Sequence, residues 1–266
     1  MLTFAAITPH PPIIIPTIGS KEDLLKVKNT TEAMEKLREA FEKSDTETLL
    51  IVSPHAPMSF HQLTFLENEN FIGNFLMFGD FKTHLAFKND IELLKEIEEA
   101  FKKENIPQET QKVEILDHGT LVPLFYLTKN KRPKIIPFSY SMLDLKTNFN
   151  YGKILGKVIK QSKKKIGFVA SGDLSHRLTP NAPAGYSPLG EKFDKTLIEF
   201  LKNKKIDSIL NLDSDFVEEA GECGLRSIVI LLGILSVFGI SNLEFRILSY
   251  EGPFGVGYLV TNIEGL

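Results

Sequence analysis

The sequence predicts an α/β fold: a single domain with a mostly parallel central sheet flanked by helices and finished by a C-terminal β-hairpin. Three observations carry this. Short apolar runs rich in Ile, Val and Phe alternate with amphipathic stretches of roughly 10 to 20 residues. The last two apolar runs are separated only by Glu251-Gly252-Pro253-Phe254-Gly255, a turn sequence. The 266-residue chain shows no fixed-period repeat, no low-complexity tract and no dividing linker, so one domain spanning 1–266 is expected.

In chain order, strands are expected at Thr3 to Ile7, Thr48 to Ser53, Phe75 to Phe78, Lys134 to Ser139 and Ile166 to Ser171, then Glu244 to Tyr250 and Val256 to Thr261. Helices are expected between them. In EDLLKVKNTTEAMEKLREAFEK, Leu24, Val27, Met34, Leu37 and Phe41 recur close to a 3.6-residue period. IELLKEIEEAFKKE, Tyr151 to Lys160 and Leu189 to Leu201 follow the same pattern. The run CGLRSIVILLGILSVFG is apolar almost throughout, but Leu225 to Ile240 contains Arg226 and is too short to span a bilayer, so it reads as a buried helix. RLTPNAPAGYSP, residues 177 to 188, has three prolines and no period, and reads as a loop.

Composition narrows the function. A net charge of -3 points to neither nucleic acid nor an anionic membrane surface as partner. The lysine tracts at 163–165 and 202–205 lie among acidic helical residues and read as solvated faces. Cys223 is the only cysteine, so no internal disulfide forms and a reducing, cytoplasmic setting is expected. The N-terminal MLTFAAITPH has no basic region or cleavage signal. With 20 phenylalanines and no tryptophan, an aromatic core is expected.

The histidines carry the chemistry. His61 and His84 have no special setting, but the other four each stand at a breaker beside an apolar run. His10 lies in ITPHPP, His55 in VSPHAP, His118 in LDHGTLVPL at the start of a helical pattern, and His176 at the end of VASGDLSH. In an open α/β sheet, residues just past the carboxyl ends of strands line one crevice. A flanking proline fixes φ and removes a donor, so each Pro-His is carried on a stiff corner outside the sheet. Two or more imidazoles with one further anionic ligand suit Fe, Zn or Cu. EEAGECGLRS supplies candidates for that third ligand in Glu222 and Cys223, at a Gly-flanked turn opening the apolar helix.

Taken together and in order, PHPP, SPHAP, DHGTLVPL, GDLSH and AGECG resemble the catalytic B subunit of class III extradiol ring-cleavage dioxygenases and the related Memo family, over residues 10 to 226. The resemblance implies His10 and His55 as metal ligands, His176 as catalytic base, and His118 on the oxygen and substrate side. Asp173 matches an acidic residue of the Memo-like motif. The dioxygenases' ligating glutamate falls on Cys223, as in Memo-type proteins, with Glu222 one residue earlier as the alternative carboxylate. The implied metal is Fe(II), with Zn or Cu as alternatives, because a thiolate is softer than a carboxylate. The implied substrates are a small aromatic diol and O2. A homo-oligomer is expected, and an AMMECR1-type protein or a small A subunit are the partners the resemblance suggests. The competing readings are a Memo-like metal-binding protein without ring cleavage and a metal-dependent hydrolase.

Overall fold

The computed structural model describes all 266 residues. In chain order the strands are β1 (Leu2–Thr8), β2 (Thr48–Val52), β3 (Leu63–Glu67), β4 (Asn70–Phe75), β5 (Asp80–Lys88), β6 (Gln108–Lys112), β7 (Lys134–Ser139), β8 (Ile166–Ser171), β9 (Glu244–Glu251) and β10 (Tyr258–Glu264). The helices are α1 (Lys21–Lys26), α2 (Lys28–Lys43), α3 (Ile91–Lys103), α4 (His118–Leu127) and α5 (Leu145–Gln161). Four more follow: α6 (Pro188–Lys202), α7 (Ile206–Leu210), α8 (Ser214–Ala220) and α9 (Leu225–Phe238).

Eight strands form the main sheet in the order β6-β3-β7-β2-β8-β1-β10-β9. Its centre, β7-β2-β8-β1, is parallel throughout, whereas β3 meets β7 antiparallel and the hairpin β9–β10 closes the far edge antiparallel to β1. The α/β class, the mostly parallel sheet and the C-terminal hairpin are as the sequence predicts.

Strand β2, TLLIV, is buried along its whole length. Its pleat sends Leu50 and Val52 into one apolar layer and Leu49 and Ile51 into the other. That is the pattern of a parallel strand covered on both faces. One layer packs the sheet against α3, α5, α6 and α9, the other against α2 and α4. Helix α9 is buried over almost every residue, as its continuous apolar sequence requires, and no helix is long and apolar enough to cross a membrane.

The segment between β2 and α3 departs from expectation. Phe75 to Phe78 is not a strand of the sheet. Phe75 ends β4, and Leu76–Phe78 form a 3-10 turn joining β4 to β5 in a separate two-stranded hairpin. The left-handed Gly79 (φ 82°) closes that turn. One of its apolar residues reaches the site described next: the Phe78 ring meets the His118 ring edge-on at 5.3 Å.

Candidate metal centre

His10 follows β1, His55 follows β2, His176 follows β8, and His118 opens α4. Because β1, β8 and β2 are adjacent and parallel, their carboxyl ends deliver three of the four histidines to one place. The ring of His118 stacks on that of His55 at 4.2 Å, and the His10 ring stands edge-on to both. His61 and His84 are exposed elsewhere on the surface.

Hydrogen bonds pin these corners and, at His10 and His176, dictate the tautomer. His10 Nδ1 lies 3.0 Å from Ser171 Oγ, and Ser171 Oγ donates its one proton to the carbonyl of Gly119 at 2.5 Å. The hydroxyl is therefore the acceptor from His10 Nδ1–H, which leaves His10 Nε2 bare. Likewise His176 Nδ1 sits 2.8 Å from the Gly221 carbonyl, which only accepts, so Nδ1 carries the proton and Nε2 is free as a base. Ser53 Oγ accepts the backbone N–H of His55 and donates to Asp117 Oδ1. Asp117 in turn caps α4 by accepting from the N–H and hydroxyl of Thr120. The cap thus places His118 on the first turn against His55. Gly119 belongs to this junction: a Cβ there would stand 2.4 Å from Ser53 Oγ.

Cys223 comes from the turn before α9. Its loop is laced to the loop after β8. Cys223 N–H donates to the Asp173 carbonyl, Asp173 N–H points at Cys223 Sγ, and Ser175 Oγ donates to the Ala220 carbonyl. The two backbones touch where Gly172 meets Gly224; a Cβ on Gly172 would lie 2.2 Å from Gly224 Cα, so any larger residue would push the loops apart. Asp173 is buried and accepts the backbone N–H of His10 at 2.9 Å. Asp194, buried in α6, accepts Ser175 N–H and the Tyr250 hydroxyl, bracing the same loop from behind.

His10, His55 and Cys223 present donor atoms that all lie within 4.8 Å of one another. Glu222 is turned away from them: its carboxylate accepts Leu225 N–H at the start of α9. Two nitrogens about 2.1 Å from a common tetrahedral ion lie about 3.4 Å apart, and such a nitrogen and a thiolate sulfur about 3.6 Å apart. The observed separations are 3.1 Å between the two Nε2 atoms and 3.7 Å from His10 Nε2 to Cys223 Sγ. The donor set therefore fits a transition-metal ion.

Electrostatics point the same way. Burial, then the neighbouring histidines, hold His10 well below its ordinary value, and burial likewise lowers His55 and His176. His118 is brought down to about 4 by burial and by His55. These imidazoles are neutral at pH 7, the form that ligates. Burial, with Asp173 and Glu222 nearby, raises the Cys223 thiol, and burial lifts Asp173 to about 7. A cation would reverse that pressure on the thiol and release its proton.

A cavity of about 400 Å³ opens over His10, His55, His118 and His176. Its remaining wall includes Pro11, Ile13, Pro183, Phe254, Val256 and Tyr258. Sequence reasoning placed the histidines and Cys223 but not Ser171, Ser53 and Asp117, which orient them. The Ser of Ser-Pro-His and the Asp three residues before Thr120 were the available signals.

Residues 4–261 match the family described as the catalytic LigB subunit of aromatic ring-opening dioxygenase. Protein CA_C1420 of Clostridium acetobutylicum is 36% identical over 266 residues, covering 96% of this chain and 56% of that protein. The 3,4-dihydroxyphenylacetate 2,3-dioxygenase of Escherichia coli is 26% identical over 129 residues, 45% of this chain and 47% of that protein. A MEMO1 family protein of Methanococcoides burtonii is 28% identical over 130 residues, 47% of this chain and 46% of that protein. The chain spans about half the length of these curated relatives.

Proposed function

The chain belongs to the LigB family of aromatic ring-opening dioxygenase catalytic subunits, and on that premise we propose that it is a metal-dependent dioxygenase that opens a catechol-like ring with O2. His10, His55 and Cys223 would hold the metal, Fe(II) in the first instance, with Zn or Cu as the alternatives a thiolate admits. The observation that carries the reading is His176: a second-wall imidazole, tautomer fixed by Gly221, in the same cavity as the two ligand histidines.

The metal would supply O2 activation and a positive centre that favours the ionised diol. The rest falls to the protein. His176 Nε2 takes a phenolic proton, and the Gly221 carbonyl on Nδ1–H stabilises the imidazolium so formed. Neutral His118, stacked on His55, offers a ring N–H to an oxygen gaining charge. Asp173 keeps His10 in place through its backbone N–H. The prolines, Phe254 and Val256 would give the ring an apolar surface to lie against.

Anaerobic purification, metal analysis and Fe(II) reconstitution with a panel of catechols test this, read by O2 uptake and the yellow ring-opened product. His176→Ala should cut turnover about 10²–10⁴-fold with metal content intact, whereas His10→Ala should lose the metal. Equal metal loss in both variants would sink the role assignment. Cys223 in the donor set favours a second reading, a MEMO1-like metal-binding protein without ring cleavage. Tight metal binding with no uptake on any diol selects it.

A further inference from the structure

The wall of the site is as informative about the substrate as its donors. None of the twelve residues lining the cavity is lysine or arginine. The one acidic side chain there, Asp173, is buried and accepts the backbone N–H of His10, so it offers an anion no positive partner. Apart from the histidines, Asp173 and Tyr258, the lining is apolar: Pro11, Pro12, Ile13, Pro183, Phe254 and Val256. One ammonium stands beside Phe254 without lining the cavity: Lys26 Nζ rests 5.6 Å from that ring centroid, and its side chain is 55% exposed and lies 3.9 Å from Asp23. A volume of about 400 Å³ sits at the lower end of small-molecule pockets. It takes one aromatic ring with a modest substituent.

We propose that the substrate is a catechol bearing an uncharged, apolar ring substituent, selected against diols that carry a carboxylate directly on the ring. This rests on the ring-opening reading above. With both diol oxygens at the metal, a ring carboxylate would lie against Val256, Phe254 or Ile13 with no cation to meet it, and shedding part of its hydration there without a partner is disfavoured. A methyl or larger alkyl group in the same place gains apolar contact instead. Only a carboxylate on an arm long enough to pass Phe254 comes within reach of Lys26.

The test uses the Fe(II)-loaded protein with 4-methylcatechol and 3,4-dihydroxybenzoate, a pair differing only in that substituent. kcat/KM is read by O2 uptake and affinity by anaerobic calorimetry. The methyl compound should be favoured about 10²-fold. Ile13→Arg, at a half-buried wall position, should narrow or invert that ratio while leaving metal content unchanged. Equal or better use of 3,4-dihydroxybenzoate, or a ratio indifferent to the new arginine in a folded variant, overturns the proposal. If no diol is turned over, the ring-opening reading fails by itself. The anaerobic affinities then decide the substituent question: tighter binding of 4-methylcatechol upholds it, and equal binding overturns it.

Discussion

Ser171 offers the sharpest test of how the site is held. Its hydroxyl accepts from His10 Nδ1 at 3.0 Å and donates to the Gly119 carbonyl at 2.5 Å, and both Ser171 and His10 are buried. Ser171→Ala strands both partners. Leaving a buried group unsatisfied costs about 1–3 kcal/mol. In a chain of this length that lowers Tm by about 2–4 °C for each kcal/mol lost. The more telling effect is on the ring. With Nδ1 unclaimed, the other tautomer competes, its Nε2–H facing Asp173 Oδ2 only 3.8 Å away. The nitrogen that faces His55 and Cys223 is then protonated in part of the population. Loss of such an orienting partner costs about 10–100-fold in metal affinity. Chelator competition with Zn(II) measures this, and calorimetry of the metal-free protein gives Tm. A lowered Tm with undiminished affinity would refute the tautomer argument and reduce Ser171 to a packing residue.

Cys223→Ser should strip the soft donor and lower metal content after purification, while Glu222→Gln, which can still accept Leu225 N–H, should leave it unchanged; elemental analysis separates them. Gly172→Ala drives a methyl into Gly224 and should weaken Zn(II) binding at least tenfold, about 1.4 kcal/mol, by moving the Cys223 loop. The half-buried neutral His118 gives a signed pH dependence. Its folded value of about 4 lies below the ordinary 6.5, so the unfolded chain takes the proton first and stability is lost as pH falls from 6.5 to about 4. In His118→Asn the metal-free protein should lose less Tm than wild type across that window, and parallel Tm curves would count against the assignment.

The central strands were readable because they are buried on both faces and so are nearly all apolar, as in TLLIV and IGFVAS. The Pro-His corners were readable because proline marks where such a strand must stop. The strands between residues 63 and 112 were not, although helix α3 among them was. β6 reads QETQK and has no apolar residue; it is a strand only because its backbone pairs with β3. β5 reads DFKTHLAFK, mostly exposed, and its partner is β4 rather than the core. Periodicity reports burial, and neither strand buries a regular face. At the site, the side chains that would touch metal stood beside recognisable breakers. Ser171 reaches His10 and Gly119, 161 and 52 positions away, and Ser53 meets Asp117 across 64, relations that no local pattern encodes, whereas the Ser53–His55 and Asp117–Thr120 bonds are local.

The distance in sequence between His10 and Cys223 has a kinetic consequence. These two residues are 213 positions apart, and their side chains lie 3.7 Å from each other only after α9 has docked across the sheet. A chain emerging from the ribosome offers His10 and His55 early and the thiol among the last segments. Until then it presents a bidentate site, open and weak, and any ion captured there exchanges freely. Docking of α9 brings Cys223 to the two histidines in one event. On the proposed donor set, tight loading would therefore wait for α9 to dock, and occupancy of the centre would report that this long-range packing has formed.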